Sequence, residues 1–250
     1  MAGTAASPSC DVWSGRVVWD ERVAALLPPD ERLRMRRYHR PVDQQRFLTA
    51  WALARLILSE ALGVAPDAVN IVRSCPRCGA DHGKPQIHDE GWQLSLSHAG
   101  ERVFVAVSAQ VPVGVDVERV PAEPEITDRL AGVVLHKLET PAGDPAALLR
   151  YWVRKEAVLK ATGHGLLMPM AALAVTPPGD DARLLDYPDD LAPAGRVAVR
   201  DLPIAPPYLA AVALVLAPDA GDDAVSLRLR DGDGVLAGAV ADPAQRDRPR

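Results

Sequence analysis

Three cysteines, an odd number, are too few for a disulfide framework. No stretch is apolar for long enough to cross a bilayer; the longest run, Tyr208 to Ala217, reads as a buried strand. Met1 to Asp11 carries no basic stretch followed by an apolar core, so no export signal is expected. These absences predict a cytoplasmic protein with no membrane partner. Neither a G-x-x-x-x-G-K-S/T loop nor a G-x-G-x-x-G turn is present, which removes the P-loop and Rossmann routes to nucleotide binding. Positive charge is also short: the net charge of -5 disfavours a general polyanion binder, and no nucleic-acid partner is expected.

What is present is an ordinary globular composition, 48% apolar and 24% charged, over 250 residues, enough for one large or two small domains. Charge is unevenly spread. Arg32, Arg34, Arg36, Arg37, Arg40 and Arg46 stand close together, while Asp180, Asp181, Asp186, Asp189 and Asp190 cluster later. A local basic patch on an acidic protein suits a compact phosphorylated ligand.

Hydrophobic periodicity predicts an opening strand or hairpin over Val12 to Trp19, with Gly15 at its turn, and a helix over Val42 to Leu62 stopped by Gly63. Strands are expected at Val69 to Arg73, Trp92 to Leu96 and Val103 to Ser108. A second long helix, Pro145 to Thr162, precedes strands at Leu173 to Thr176, Arg196 to Arg200 and Tyr208 to Leu216. Helix then three strands, twice, predicts an α+β fold built as a pseudo-twofold pair of similar halves, each a long helix on a small antiparallel sheet. The boundaries expected are 1–113 for the first half, 114–230 for the second, and a flexible tail over 231–250, rich in Gly, Ala, Asp, Pro and Arg.

The chemistry centres on Gly114-Val115-Asp116-Val117-Glu118. As a strand it turns Val113, Val115 and Val117 to one face and the carboxylates Asp116 and Glu118 to the other. Two parallel carboxylates repel unless something positive binds them, and all-oxygen ligation favours magnesium or manganese over zinc. On the second long helix, Trp152, Glu156 and Lys160 share a face, with Lys155 beside them. A third carboxylate flanked by two lysines complements the strand pair: the carboxylates can hold a metal and the ammonium groups the phosphates it bridges. Gly83-Lys84-Pro85 reads as a stiff turn presenting a lysine, and Ser97-His98 closes a strand with a hydroxyl and an imidazole. Cys75-Pro76-Arg77-Cys78-Gly79, with Asp81 and His82 after it, resembles half of a zinc site; without a second C-x-x-C, two reduced loop thiols are the default reading.

Gly-Lys-Pro, then Ser-His, then G-V-D-V-E, then W-x-x-K-E-A-x-x-K-A, in that order, resembles the 4′-phosphopantetheinyl transferases of the surfactin-synthetase-activating (Sfp) type. The resemblance implies transfer of the phosphopantetheine arm of coenzyme A to a serine of an apo acyl or peptidyl carrier protein, with release of 3′,5′-ADP, by a monomer. It implies that Asp116, Glu118 and Glu156 bind magnesium, with manganese a substitute. Lys155, Lys160 and His98 would neutralise the phosphates. Lys84, Ser97 and one or more of Arg34, Arg37 and Arg46 would hold the 3′-phosphate end, Arg46 being preferred. Glu156 is the candidate base, directly or through a water on the metal; a purely ligating Glu156 is the alternative. A carrier-facing surface is expected near Arg129, His136, Lys137 and the turn Gly163-His164-Gly165-Leu166; Leu166, Leu167 and Met168 are an exposed apolar contact or core, with core preferred. Competing readings are a nucleic-acid module gripping through Arg32 to Arg40 and the Cys75-Cys78 loop, and a magnesium-dependent nucleotide hydrolase.

Overall fold

A computed structural model describes residues 9–75, 77–88, 91–109, 111–122, 127–140, 143–221 and 224–241. The elements in chain order are β1 (Ser9–Arg16), α1 (Glu21–Ala24), α2 (Pro29–Met35), α3 (Pro41–Leu62), β2 (Ile71–Ser74), β3 (Asp81–Ile87), β4 (Trp92–Ala99), β5 (Arg102–Ala109), β6 (Val113–Arg119), α4 (Thr127–Val134), α5 (Pro145–Thr162), β7 (Ala174–Val175), β8 (Leu184–Asp186), β9 (Arg196–Leu202), β10 (Tyr208–Leu216), β11 (Ser226–Asp231) and α6 (Gly232–Val240). The chain is α+β. Among the described residues no helix is long and apolar enough to cross a membrane.

Two sheets and two long helices make the frame. The first sheet runs β11-β1-β5-β4-β3-β2 and the second β6-β10-β9, with β7 and β8 forming a separate ribbon. Strand alternation gives each sheet two apolar faces. In β5, Val103, Val105 and Val107 pack with Leu48, Trp51 and Leu58 of α3. Phe104 and Ala106 turn the other way and meet Val113, Val115, Val117 and Val212 of the second sheet. That second sheet lays Ala211 and Ala213 against Val153, Ala157 and Val158 of α5. Each sheet is therefore backed by its own helix, and the sheets join through a shared apolar layer.

Local rules explain the helix ends. Gly63, at φ 68°, closes α3 by donating its N–H to the Ser59 carbonyl. Asp144 caps α5, its side chain accepting from the Ala147 N–H. Inside the first half, Arg55 and Glu31 form a buried two-bond ion pair at 2.7 and 2.8 Å that fastens α2 to α3.

Several expectations need correction. Gly15 lies inside strand β1, opposite Val103 of β5, not at a turn. Gly83-Lys84-Pro85 is part of strand β3, not a free turn. Pro85 is tolerated because the β2–β3 pairing is irregular there and asks no N–H of it. The short helices α1, α2 and α4 and the strand β8 carry too few residues for a periodic signal, and none was expected. The boundary at residue 230 also fails. β11 returns to the first sheet, parallel to β1, with Val12 opposite Leu229. Residues 232–240 of the expected tail form a helix capped by Asp231, with Leu236 buried in the first core. Its Gly-Ala composition hides a helix whose stability comes from tertiary packing.

Candidate active site

β6 is an edge strand, so its outward N–H groups need partners outside its own sheet. β4 supplies them: Val115 N donates to Ser95 Oγ at 3.0 Å and Val117 N to Ser97 Oγ at 3.3 Å. Ser97 in turn donates to Asp116 Oδ1 at 2.8 Å, which links the two sheets through the carboxylate. On the other side of β6 lies α5. A Cβ on Gly114 would fall 2.0 Å from the Ala157 carbonyl oxygen and 2.3 Å from the Ala161 nitrogen, so only glycine lets the helix backbone rest there. This approach brings Lys160 Nζ to 2.6 Å from Asp116 Oδ1 and 3.1 Å from the Val115 carbonyl.

Three carboxylates share this spot with one ammonium ion. Asp116 is buried, and its second oxygen, Oδ2, has no hydrogen-bond partner among the described residues. Burial, with repulsion from Asp116 behind it, pushes the Glu118 carboxyl up to about 7, although Lys160 and a hydrogen bond from Trp152 oppose the shift. Glu156 is raised by burial too, Lys160 pulling against it and Asp116 adding to it. An orphaned buried oxygen beside two destabilised carboxylates is a donor set short of a cation. Its all-oxygen chemistry fits magnesium or manganese.

The carboxylates open into a cleft of about 700 Å³ between the two halves. Lys84, Arg73, Phe47 and Trp51 line the same cleft. Phe47 stacks on Trp51 at 5.5 Å, and the Arg73 guanidinium sits 5.5 Å from the Trp51 ring centre. Lys84 donates to the Ala161 carbonyl at 3.1 Å, in the last turn of α5, where the helix end favours a cation. Burial without a carboxylate partner among the described residues lowers its ammonium to about 8. His98 lines the cleft with part of its ring open to solvent, and partial desolvation, together with Arg46 and Lys160, lowers its pKa.

Two family models match end to end. Residues 13–110 match the model described as 4′-phosphopantetheinyl transferase, N-terminal, and residues 112–212 match that of the 4′-phosphopantetheinyl transferase superfamily. The chain belongs to this superfamily. The join between the models falls just before β6, where the chain passes from the first sheet to the second. Curated relatives agree. The 4′-phosphopantetheinyl transferase HetI of Nostoc sp. is 29% identical over 62% of this chain and 68% of its own. One from Bacillus pumilus is 26% identical over 77% and 80%. A Synechocystis sp. protein named as a candidate member is 32% identical over 57% of this chain, and the match spans 59% of that relative's length.

Of the residues singled out in the sequence, Asp116, Glu118, Glu156, Lys160, Ser97, His98 and Lys84 all line the cleft. Lys155 does not. It follows Arg154 onto the buried side of α5, with no solvent exposure, and is held by Glu139 and two carbonyls. One residue of helix is a turn of about 100°, enough to send neighbours to opposite sides. The arginines also depart from expectation. Arg34 is ion-paired with Asp81, Arg37 is exposed on the surface after α2, and none of Arg34, Arg37 and Arg46 lines the cleft. Arg46 is tied to the Gly100 carbonyl at 2.8 Å and to Asp43 at 2.9 Å. His136, expected on a carrier-facing surface, is buried beside Glu139. Met168 is core as expected, while Leu167 is exposed at the cleft mouth; the side chains of Arg129 and Leu166 lie outside the described residues. Arg73, Trp51 and Ser95 went unrecognised, although Ser95 stands in the same alternating stretch as Ser97. Gly114, a glycine inside an otherwise continuous valine strand, was the available sign of a close backbone approach.

Proposed function

We propose that this chain moves the 4′-phosphopantetheine arm of coenzyme A onto a serine hydroxyl of an apo acyl or peptidyl carrier protein, as an enzyme of the surfactin-synthetase-activating type. The observation that carries the reading is the unpartnered, buried Asp116 Oδ2, in a cleft lined also by Glu118, Glu156, Lys160, Lys84 and Arg73. The relatives' names support the same reaction.

Asp116, Glu118 and Glu156 are the residues that would hold magnesium or manganese. When bound, the ion neutralises the pyrophosphate oxygens and so supplies charge that a carboxylate cluster cannot. The chain's own residues do the rest. Lys84 and Arg73 take the 3′-phosphate. Lys160 and His98 face the phosphate oxygens as negative charge moves to the leaving group. The acceptor serine Oγ forms a bond to the phosphorus bearing the pantetheine arm. The bond from that phosphorus to the bridging oxygen breaks, and its electron pair leaves with 3′,5′-ADP. Glu156 receives the serine proton; burial raises its proton affinity and suits it to that task.

The test is intact-protein mass spectrometry of an apo carrier protein incubated with this protein, coenzyme A and magnesium. A mass gain of one phosphopantetheine arm is expected, lost with Glu156→Ala and on chelation. Absence of any gain across acyl and peptidyl carriers, together with no measurable coenzyme A binding, would sink the proposal.

A further inference from the structure

The hairpin that carries Lys84 into the cleft has a chemistry of its own. β2 ends at Ser74, and Cys75 follows it into a tight turn. Cys75 N donates to the Ala80 carbonyl and Gly79 N to the Cys75 carbonyl, each at 2.8 Å, with Gly79 at φ 72°. That turn folds Cys78 back over β3, where Cys78 Sγ lies 3.0 Å from His82 Nε2. The Cys75 and Cys78 sulfurs and a His82 ring nitrogen all lie within 4.8 Å of one another. Cys75 is buried while Cys78 and His82 are exposed, so an ion can reach the group from solvent. The backbone N–H groups of Arg77 and Cys78 donate to the Cys75 sulfur. Asp81, the adjacent carboxylate, is committed to Arg34 and stays out of the cluster.

We propose that Cys75, Cys78 and His82 bind one zinc-class divalent ion, its fourth position open to solvent on the cleft side. The donors are soft sulfur and borderline nitrogen, in contrast to the all-oxygen carboxylate cluster, so the two sites select different metals. Two thiolates, a neutral imidazole and a divalent ion sum to zero charge. The site therefore adds no negative field to a wall that presents Lys84 and Arg73.

Position gives the ion its role. A Cβ on Gly83 would fall 2.4 Å from the Ser74 carbonyl oxygen, so the two strands are in close contact beside the cluster. Arg73 donates to the Gly83 carbonyl at 3.3 Å across the same pair. An ion clipping Cys75 and Cys78 to His82 fixes the hairpin end and with it Arg73 and Lys84. This positioning role rests on the coenzyme A reading above; the binding of the ion does not.

The decisive measurement is metal content of the untagged protein by mass spectrometry of the element, after incubation with zinc chloride and dialysis. One zinc per chain is expected. Cobalt in its place should give the intense thiolate-to-cobalt absorption of a two-sulfur site. Cys78→Ser and His82→Gln, both at exposed positions, should each weaken zinc retention by more than about tenfold, the loss that even an outer-shell partner can bring. Removing zinc should raise the dissociation constant for coenzyme A several-fold while magnesium binding is unchanged. Protein that keeps no zinc, with Cys75 and Cys78 titrating as free thiols or recovered as a disulfide, would overturn the proposal. Because retention is read without coenzyme A or carrier, an inactive protein that holds zinc would count against the transferase reading alone.

Discussion

Helix α5 has an ionic cluster on each side, and the two differ in one respect. On the buried side Lys155 donates to Glu139 Oε2 and the Val134 carbonyl, both at 2.6 Å, and to the Met170 carbonyl at 3.3 Å. All three ammonium protons are used. Glu139 is equally occupied, taking N–H bonds from His136 and Val175 at 2.8 Å. Next to it Arg154 grips both oxygens of Asp201 and the carbonyls of Thr176, Pro177 and Asp180. On the cleft side Asp116, Glu118 and Glu156 share Lys160, and one buried oxygen is left with nothing. A saturated cluster holds parts together. An unsaturated one, kept buried at a cost, is a site waiting for a ligand.

The largest expected effect lies on the closed side. Lys155→Met keeps the volume but strands the Glu139 carboxylate, and removing one partner of a buried pair costs about 3–5 kcal/mol. Chemical denaturation should show that loss, and Glu139→Gln in the same chain should recover most of it. At temperatures where the variant stays folded, its KM for coenzyme A should match the parent. A raised KM with unchanged stability would instead return Lys155 to the phosphate-binding role expected from sequence, and the comparison would break.

On the open side the effects reverse. Asp116→Asn keeps acceptors for Ser97 and Lys160 but removes the charge, so kcat should fall about 10²–10³-fold, the scale of losing one electrostatic contact to a transition state. Stability should hold or rise, since Glu118 loses a repelling neighbour. Its carboxyl, at about 7 in the parent, should titrate lower, which carboxylate-resolved NMR can follow. A variant both inactive and strongly destabilised would mean that Asp116 belongs with the closed cluster after all.

How much of this was legible in the sequence depends on the range of the signal. Strand alternation placed Asp116 and Glu118 together, and i, i+4 spacing placed Trp152, Glu156 and Lys160 on one face; both survive because they are local. Lys155 failed because periodicity says which residues share a face but not which face meets the cleft. The arginine-rich segment failed for a related reason: whether Arg34 meets a phosphate or Asp81 depends on β3, forty-seven positions later and unrecognised as a strand. The parallel pairing of β11 with β1 joins chain ends more than two hundred residues apart, and nothing in Ser226 to Asp231 announces it. Ser95 and Ser97 looked like a strand end, but their hydroxyls complete the edge of another sheet.

The smallest and sharpest effect concerns Lys84, which stands between the two kinds of cluster. It has a partner, the Ala161 carbonyl, but no counter-charge among the described residues, and burial lowers its pKa to about 8 from an ordinary 10.5. The folded chain therefore binds its proton less tightly than the unfolded chain. The cost of that buried charge is fully present below pH 8 and is relieved as pH climbs from 8 towards 10.5. Lys84→Met should remove the cost, melting later than the parent at neutral pH and losing the advantage in alkali. Binding should run the other way. If Lys84 holds the coenzyme A phosphate as proposed, binding needs the ammonium form, so parental affinity should fall as pH rises above about 8, while the variant should show a flat profile there. At pH 7 the variant should bind about 10- to 100-fold more weakly, the range of one hydrogen bond to a charged group. Calorimetric titration across pH 6.5–9.5 would measure both slopes, with the window set by that pKa of about 8. Greater stability bought with weaker binding would mark Lys84 as a cation held ready for an anion. Equal losses in both would make it a structural clasp on the end of α5.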